Sequence, residues 1–289
     1  MVLPTHQPQL TPAAKWAANL HLRYERSGDT TKASWQHDGP VRVLKSLYPE
    51  GLSICHNVIV HPPGGLVGGD DMRIGVHVGP NAHGLVSTPG ATRFYASDND
   101  SASQSIAIQL DEHARLEWMP LEAIAYPGCK AINQWHANLA PSAHVIAWDV
   151  VGLGLPHANM PFTHGHFRQR LAIDGCWLEA GLLDGQDALL MDGVLGLNGH
   201  RCLGTLWWAH GSPMTALQQS ACVQSCRDAL AVWAPDIPCA VTAPNDHMVV
   251  VRALGATVEP VMQRLQTVWP ALRRAAWDID APIPRIWQV

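Results

Sequence analysis

Apolar and polar residues alternate along much of this chain. Met72, Ile74, Val76 and Val78 are separated by Arg73, Gly75 and His77, which is the period of a strand with one buried face. Similar patterns predict strands at 18–26, 101–110 and 114–119. Shorter apolar runs predict strands at 40–44, 57–60, 84–87 and 248–254. Residues 143–151 are apolar except for His144 and Asp149. Phe167, Gln169, Leu171 and Ile173 form one arm of a predicted hairpin turning at Asp174-Gly175, with 176–180 as the other arm. Proline and glycine interrupt these runs at His61-Pro62-Pro63-Gly64-Gly65, Gly79-Pro80-Asn81 and Thr88-Pro89-Gly90. Proline lacks a backbone donor and glycine permits positive φ, so each cluster reads as a turn.

Helical spacing enters late. Ser212-Pro213 is predicted as an N-cap and first-turn proline. Cys222, Cys226, Leu230 and Trp233 follow at helical spacing. Val261, Leu265, Val268 and Leu272 share a second helical face, which Pro270 is expected to bend or shorten. The pattern predicts a mainly β fold, an extended sheet stack or barrel with about two helices in the C-terminal third. No strict internal repeat is visible. Residues 1–15 hold three prolines and little periodicity and read as a flexible leader. No linker divides 16–289, which reads as a single domain.

Composition sharpens this picture. Hydrophobic residues make up 47% of the 289 and charged residues 15%. That suits a sizeable core, argues against disorder and points to surface covered by a partner. A net charge of −5 gives no reason to expect nucleic-acid binding. No signal peptide or membrane-spanning run is evident. Seven cysteines without CxxC spacing read as reduced thiols in a cytoplasm.

Several residues are candidates for chemistry. Between Leu171 and His200 lie Asp174, Glu179, Asp184, Asp187 and Asp192, without lysine or arginine. They suit either a negative lining or, for the Asp-Gly pairs, ordinary turns. Asp149 and Glu179 sit in apolar surroundings, where a carboxylate needs a partner or hydration. Either a water-filled passage or a structural ion pair satisfies them. His164-Gly165-His166 places two rings on one side of a predicted strand, but HExxH and Cys/His finger spacings are missing. Cys222 and Cys226, one turn apart, suit either a soft metal or core packing. Ser87 and Thr88 suit a hydrated passage, and Arg93 suits a pair with Glu117 or Glu122. No nucleophile elbow or Walker lysine motif occurs. Six of the 12 tryptophans lie at 207 and beyond. Among them, Arg285-Ile286-Trp287 is the best docking candidate.

HPPGGLVGGD at 61–70, STPGATRFY at 87–95 and LEWMPLEAI at 116–124 resemble the signature segments of the UreD (UreH) family of urease accessory proteins. SLYPEG at 46–51 and PRIW at 284–287 fit the same pattern, and the resemblance runs in order from about residue 20 onward. It implies a large, β-rich, solenoid-like fold with helices beside it. It also implies a non-catalytic assembly factor that binds apo-urease on one side and a UreF-like protein on the other. The UreF-like protein would recruit a UreG-like GTPase carrying nickel. Nickel in transit would then pass through an internal passage, with no permanently bound cofactor. Asp149 and Glu179 fall in segments, WDV at 148–150 and LEAGLL at 178–183, where the family places acids along an internal tunnel. Gly64, Gly65, Gly68, Gly69, Asp70, Gly90, Arg93, Glu117 and Glu122 are structural motif positions, as is His61, which is expected to shape the backbone rather than ligate a metal. Asp71-Met72 stands where a basic residue is common in the family, and Ser87 where threonine is frequent. The competing class is a metal-dependent hydrolase built on a His/Asp site.

Overall fold

The computed structural model describes residues 16–98 and 100–288; the leader expected at 1–15 lies outside them. The chain runs through β1 (Ala17–Ser27), β2 (Thr30–Asp38), β3 (Arg42–Leu47), β4 (Ile54–Val60), β5 (Asp71–Val78) and β6 (His83–Ser87). Next come β7 (Thr92–Phe94), β8 (Ala102–Leu110), β9 (Arg115–Met119), β10 (Ala123–Ala125), β11 (Lys130–Leu139) and β12 (His144–Leu155). The short β13 (Met160–Pro161), β14 (His166–Ile173), β15 (Trp177–Asp184) and α1 (Ala188–Asp192) follow. The described chain then adds β16 (Cys202–His210), α2 (Ala216–Leu230), β17 (Cys239–Asn245), β18 (Met248–Gly255) and α3 (Val258–Trp277).

The middle of the chain coils. Strands β1, β5, β8, β11 and β14 pair in parallel to form a first sheet. Strands β4, β6, β9 and β12 pair in parallel to form a second, and β7 and β10 add a narrow third wall. The result is a mainly β solenoid of about four turns, in line with the expected class. Antiparallel strands finish each sheet: β2 and β15 on the first, β3, β16, β18 and β17 on the second.

The second sheet is covered on both faces, which explains its near-continuous apolar runs. Along β12, Val145, Ala147, Val151 and Leu153 join the core between the sheets. Ile146, Trp148 and Val150 join a second core beneath α2 and α3. Alternate strand residues point to opposite faces, so Asp149 shares the interior face of the solenoid. The first sheet buries Met72, Ile74, Val76 and Val78 inward and turns Arg73 outward.

Two helix expectations need correction. The first helix begins after Thr215, whose hydroxyl accepts from the Gln218 N–H at 3.2 Å. Ser212 is held instead by His210, and the Met214 N–H by the Asp246 carbonyl, so the cap forms three residues late. The second helix runs unbroken through Pro270. Val261, Leu265, Val268, Leu272 and Trp277 are buried on both sides of the proline, and this packing outweighs the roughly 3 kcal/mol penalty of an interior proline. The five-residue α1 was not expected; Asp187 caps it by accepting from the Leu190 N–H at 3.0 Å. Among the described residues no helix is long and apolar enough to cross a membrane.

Candidate functional site

A cavity of about 170 Å³ opens between the sheets. Its rim is formed by the turns at 61–65 and 88–93, the segments of the glycine-rich motifs, and Pro89 and Gly90 there are exposed. His61, Gly64, Gly65, Thr88, Gly90 and Arg93 all line it, and Asp149 lies at its inner end with Asn133 and Gln104. Gly64 takes a φ of +78°. A Cβ on Gly65 would stand 2.9 Å from the Arg93 carbonyl oxygen. Neither position admits a larger residue without strain. The Thr88 hydroxyl accepts from the Leu121 N–H at 2.9 Å and donates to the Gly90 carbonyl at 3.0 Å.

Asp149 ends a ladder of amides. Met72, Gln104, Asn133 and Gln169 stand in register across β5, β8, β11 and β14. Thr92 reaches Gln104 at 3.4 Å, and Gln104 donates to Asn133 at 3.1 Å. Asn133 donates to one carboxylate oxygen of Asp149 at 2.9 Å, and Gln169 donates to the other. Protein surrounds this carboxyl, and the surface it keeps accessible belongs to the cavity. Burial pushes its pKa up to about 6, helped by the nearby charge of Glu179 and opposed by the two amides. Burial lowers the pKa of His61, and Asp70 opposes that shift. Beside the Arg93 guanidinium at the rim, the imidazole, amides, hydroxyls and one carboxylate of this lining offer a divalent cation oxygen and nitrogen donors of modest strength.

The structure does not bring every expected residue here. Glu179 is in an ion pair, with its carboxylate bidentate on Arg252 of β18, so it ties the two sheets together beyond the cavity. Ser87, the last residue of β6, does not line the cavity: it accepts from Trp287 Nε1 at 3.0 Å on the side of the second core. Glu117 also faces outward, fully buried beneath α3. It accepts from His83 at 2.8 Å and from Trp269 at 2.7 Å, and Arg273 lies 3.2 Å away. Arg93 pairs with neither Glu117 nor Glu122; the Glu122 carbonyl instead accepts from the Thr92 N–H at 2.9 Å. Asp70 closes the turn holding Gly68 and Gly69 by accepting from the Val67 N–H at 2.9 Å.

The remaining candidates also find partners within the chain. Trp287 packs against Trp148 and Trp269, and Ile286 is half-buried, which leaves Arg285 as the exposed member of that trio. The acidic run at 171–200 finds partners in other segments: Asp174 contacts His136, Asp184 contacts His166, and Asp192 pairs with Arg201. Gly165, at φ +105°, turns the chain between His164 and His166, so the two rings do not share a strand face. Burial raises the Cys222 and Cys226 thiols to about 11 and about 12, and both pack in the second core. Among the described residues no three His, Cys, Asp or Glu side chains gather closely enough to hold a metal ion. The hydrolase reading has no ligand set among them.

The amide ladder escaped the sequence reading. Its signal was present: Gln169 stands in the buried phase of the pattern Phe167, Leu171, Ile173, and Gln104 in that of Ala102, Ile106, Ile108.

Comparison with known proteins bears on the same residues. The family model described as UreD urease accessory protein matches residues 17–288. The chain is 48% identical to a urease accessory protein UreD of Paracidovorax citrulli (strain AAC00-1), over 94% of this chain and 99% of that protein. It is 46% identical to the UreD of Variovorax paradoxus (strain S110), with the same coverage. It is also 46% identical to that of Polaromonas naphthalenivorans (strain CJ2), over 95% of this chain and 99% of that protein.

Proposed function

This chain belongs to the UreD family of urease accessory proteins, and from that premise we propose that it is a non-catalytic conduit for nickel during urease maturation. It docks apo-urease and a UreF-like protein, which recruits a UreG-like GTPase. The nickel released by that GTPase enters at the rim formed by His61, Thr88 and Arg93. It passes Asp149 and leaves toward Glu179 and Arg252. The observation that supports this reading is the placement of Asp149 at the inner end of a cavity whose rim is built from the motif segments. One carboxylate, offset by the Arg93 guanidinium at the rim, attracts a dication without trapping it, whereas thiolates or several imidazoles would hold it far more tightly.

Asp149→Ala and Glu179→Ala are expected to lower urease-bound nickel while leaving the complex intact in a pull-down. Full nickel loading by the double variant would remove the passage role. Co-purification with urease structural subunits tests docking separately.

A further inference from the structure

Four basic side chains lie abreast where four inner strands of the second sheet begin or end. His83 of β6 is in register with Arg115 of β9, Arg115 with His144 of β12, and His144 with His210 of β16. Burial lowers the pKa of His83, and that of His144 to about 3, so the permanent charge in this row is that of Arg115. His83 is paired with Glu117 at 2.8 Å, and His210 meets the backbone of Ser212. Arg115 has no such partner. Its side chain makes no hydrogen bond or ion pair among the described residues. Its guanidinium stands 5.4 Å from the centroid of the Trp277 ring. Glu117, the acid whose charge acts on it, is already committed to His83, Trp269 and Arg273. Trp277 is 7% exposed, and its Nε1 has no acceptor among the described residues.

Arg115 and His83 line an open pocket of about 530 Å³ together with Arg26, His113, Ser53 and Asn81. No acid lines it. Asp29, 3.8 Å from Arg26, is fully exposed, and Asp278 and Asp280 beside the pocket are paired with Arg274. On a chain of net charge −5, this is a concave surface of positive sign. A half-buried guanidinium over an aromatic face, with its fork unused, matches the planar or tetrahedral oxygens of an anion.

We propose that this pocket is an oxyanion site that takes one carboxylate or phosphate group on Arg115 and Arg26. The site goes beyond the nickel passage and does not depend on it. From His144 to Asp149 along β12 is roughly 17 Å. The oxyanion comes either from a free anion or from an acidic group of a docked protein.

The test is calorimetric titration of the isolated full-length chain with inorganic phosphate and with acetate, chloride being used to hold ionic strength constant. Saturable binding is expected, weakened at least tenfold in Arg115→Gln. Arg26→Gln, at the pocket's rim, keeps the test valid if Arg115→Gln does not fold, and is expected to weaken binding too. No saturable binding of either anion, or unchanged affinity in both variants, overturns the proposal. Repeating the titration on the complex with urease separates the sources. Phosphate that still binds there identifies a free anion as the ligand. Phosphate excluded there but bound by the isolated chain identifies an acidic group of the partner.

Discussion

Asp149 carries its charge at a cost of up to roughly 3 kcal/mol, the equivalent of raising a carboxyl from 3.8 to about 6. Because it faces a cavity, the true cost is lower. The sign has a consequence. The folded carboxyl keeps its proton to higher pH than the unfolded one, so this residue's contribution to stability falls as pH rises through that window and stays low above it. Asp149→Asn, which removes the charge, is expected to equal or exceed the wild-type unfolding temperature at about pH 7.5 and to lose that advantage by about pH 4. Thermal unfolding at the two pH values checks it. The residue itself was readable as an acid in an apolar run, and strand parity assigns its face. The amides of Gln104, Asn133 and Gln169 that hold it come from three other strands, and no local pattern connects them. Ser87 and Thr88 are adjacent polar residues, yet β6 ends between them and their environments differ entirely.

Helix α3 shows how packing overrides local preference. Pro270 leaves a helical carbonyl without its donor, yet the helix continues because both of its ends are held down. Pro270→Ala is therefore expected to stabilise the protein by about 1–3 kcal/mol, read as a higher midpoint in denaturant. A buried ionic cluster fastens the same helix. Arg273 lies 2.8 Å from Glu50 and 3.2 Å from Glu117, both buried, and Glu50 also accepts from His56. Removing the cation leaves two carboxylates without it in a dry setting. Arg273→Ala is expected to cost about 3–5 kcal/mol, measured by chemical denaturation. The apolar stripe of α3 was legible from spacing alone. The cap of α2 was not, because the hydrogen bonds of His210 and Asp246, from other elements, decide where that helix begins.

The coils of the solenoid do not repeat in sequence. Steps of 32, 29 and 36 residues separate Met72, Gln104, Asn133 and Gln169, which occupy one level of the first sheet. Strand content was legible because alternation is local. Stacking order was not, because unequal excursions through the third wall and the second sheet hide the period. The architecture predicts a gradient of opening. Strands β8 and β11 are flanked on both sides in the first sheet, whereas β2 and β17 lie at sheet edges. Native-state hydrogen exchange is expected to be slowest in β8 and β11 and fastest in β2 and β17.

The cover that α3 places over the second sheet sets a schedule for biosynthesis. Leu85, Met119, Ile146 and Trp148 all rest in the core beneath that helix, and every strand of the sheet leaves the ribosome before it. At translation speeds of about 5–20 residues per second, the interval from β6 to α3 lasts roughly ten to forty seconds. Throughout it a greasy face stands open on the nascent chain. Slow codons placed before α3 would lengthen that exposure.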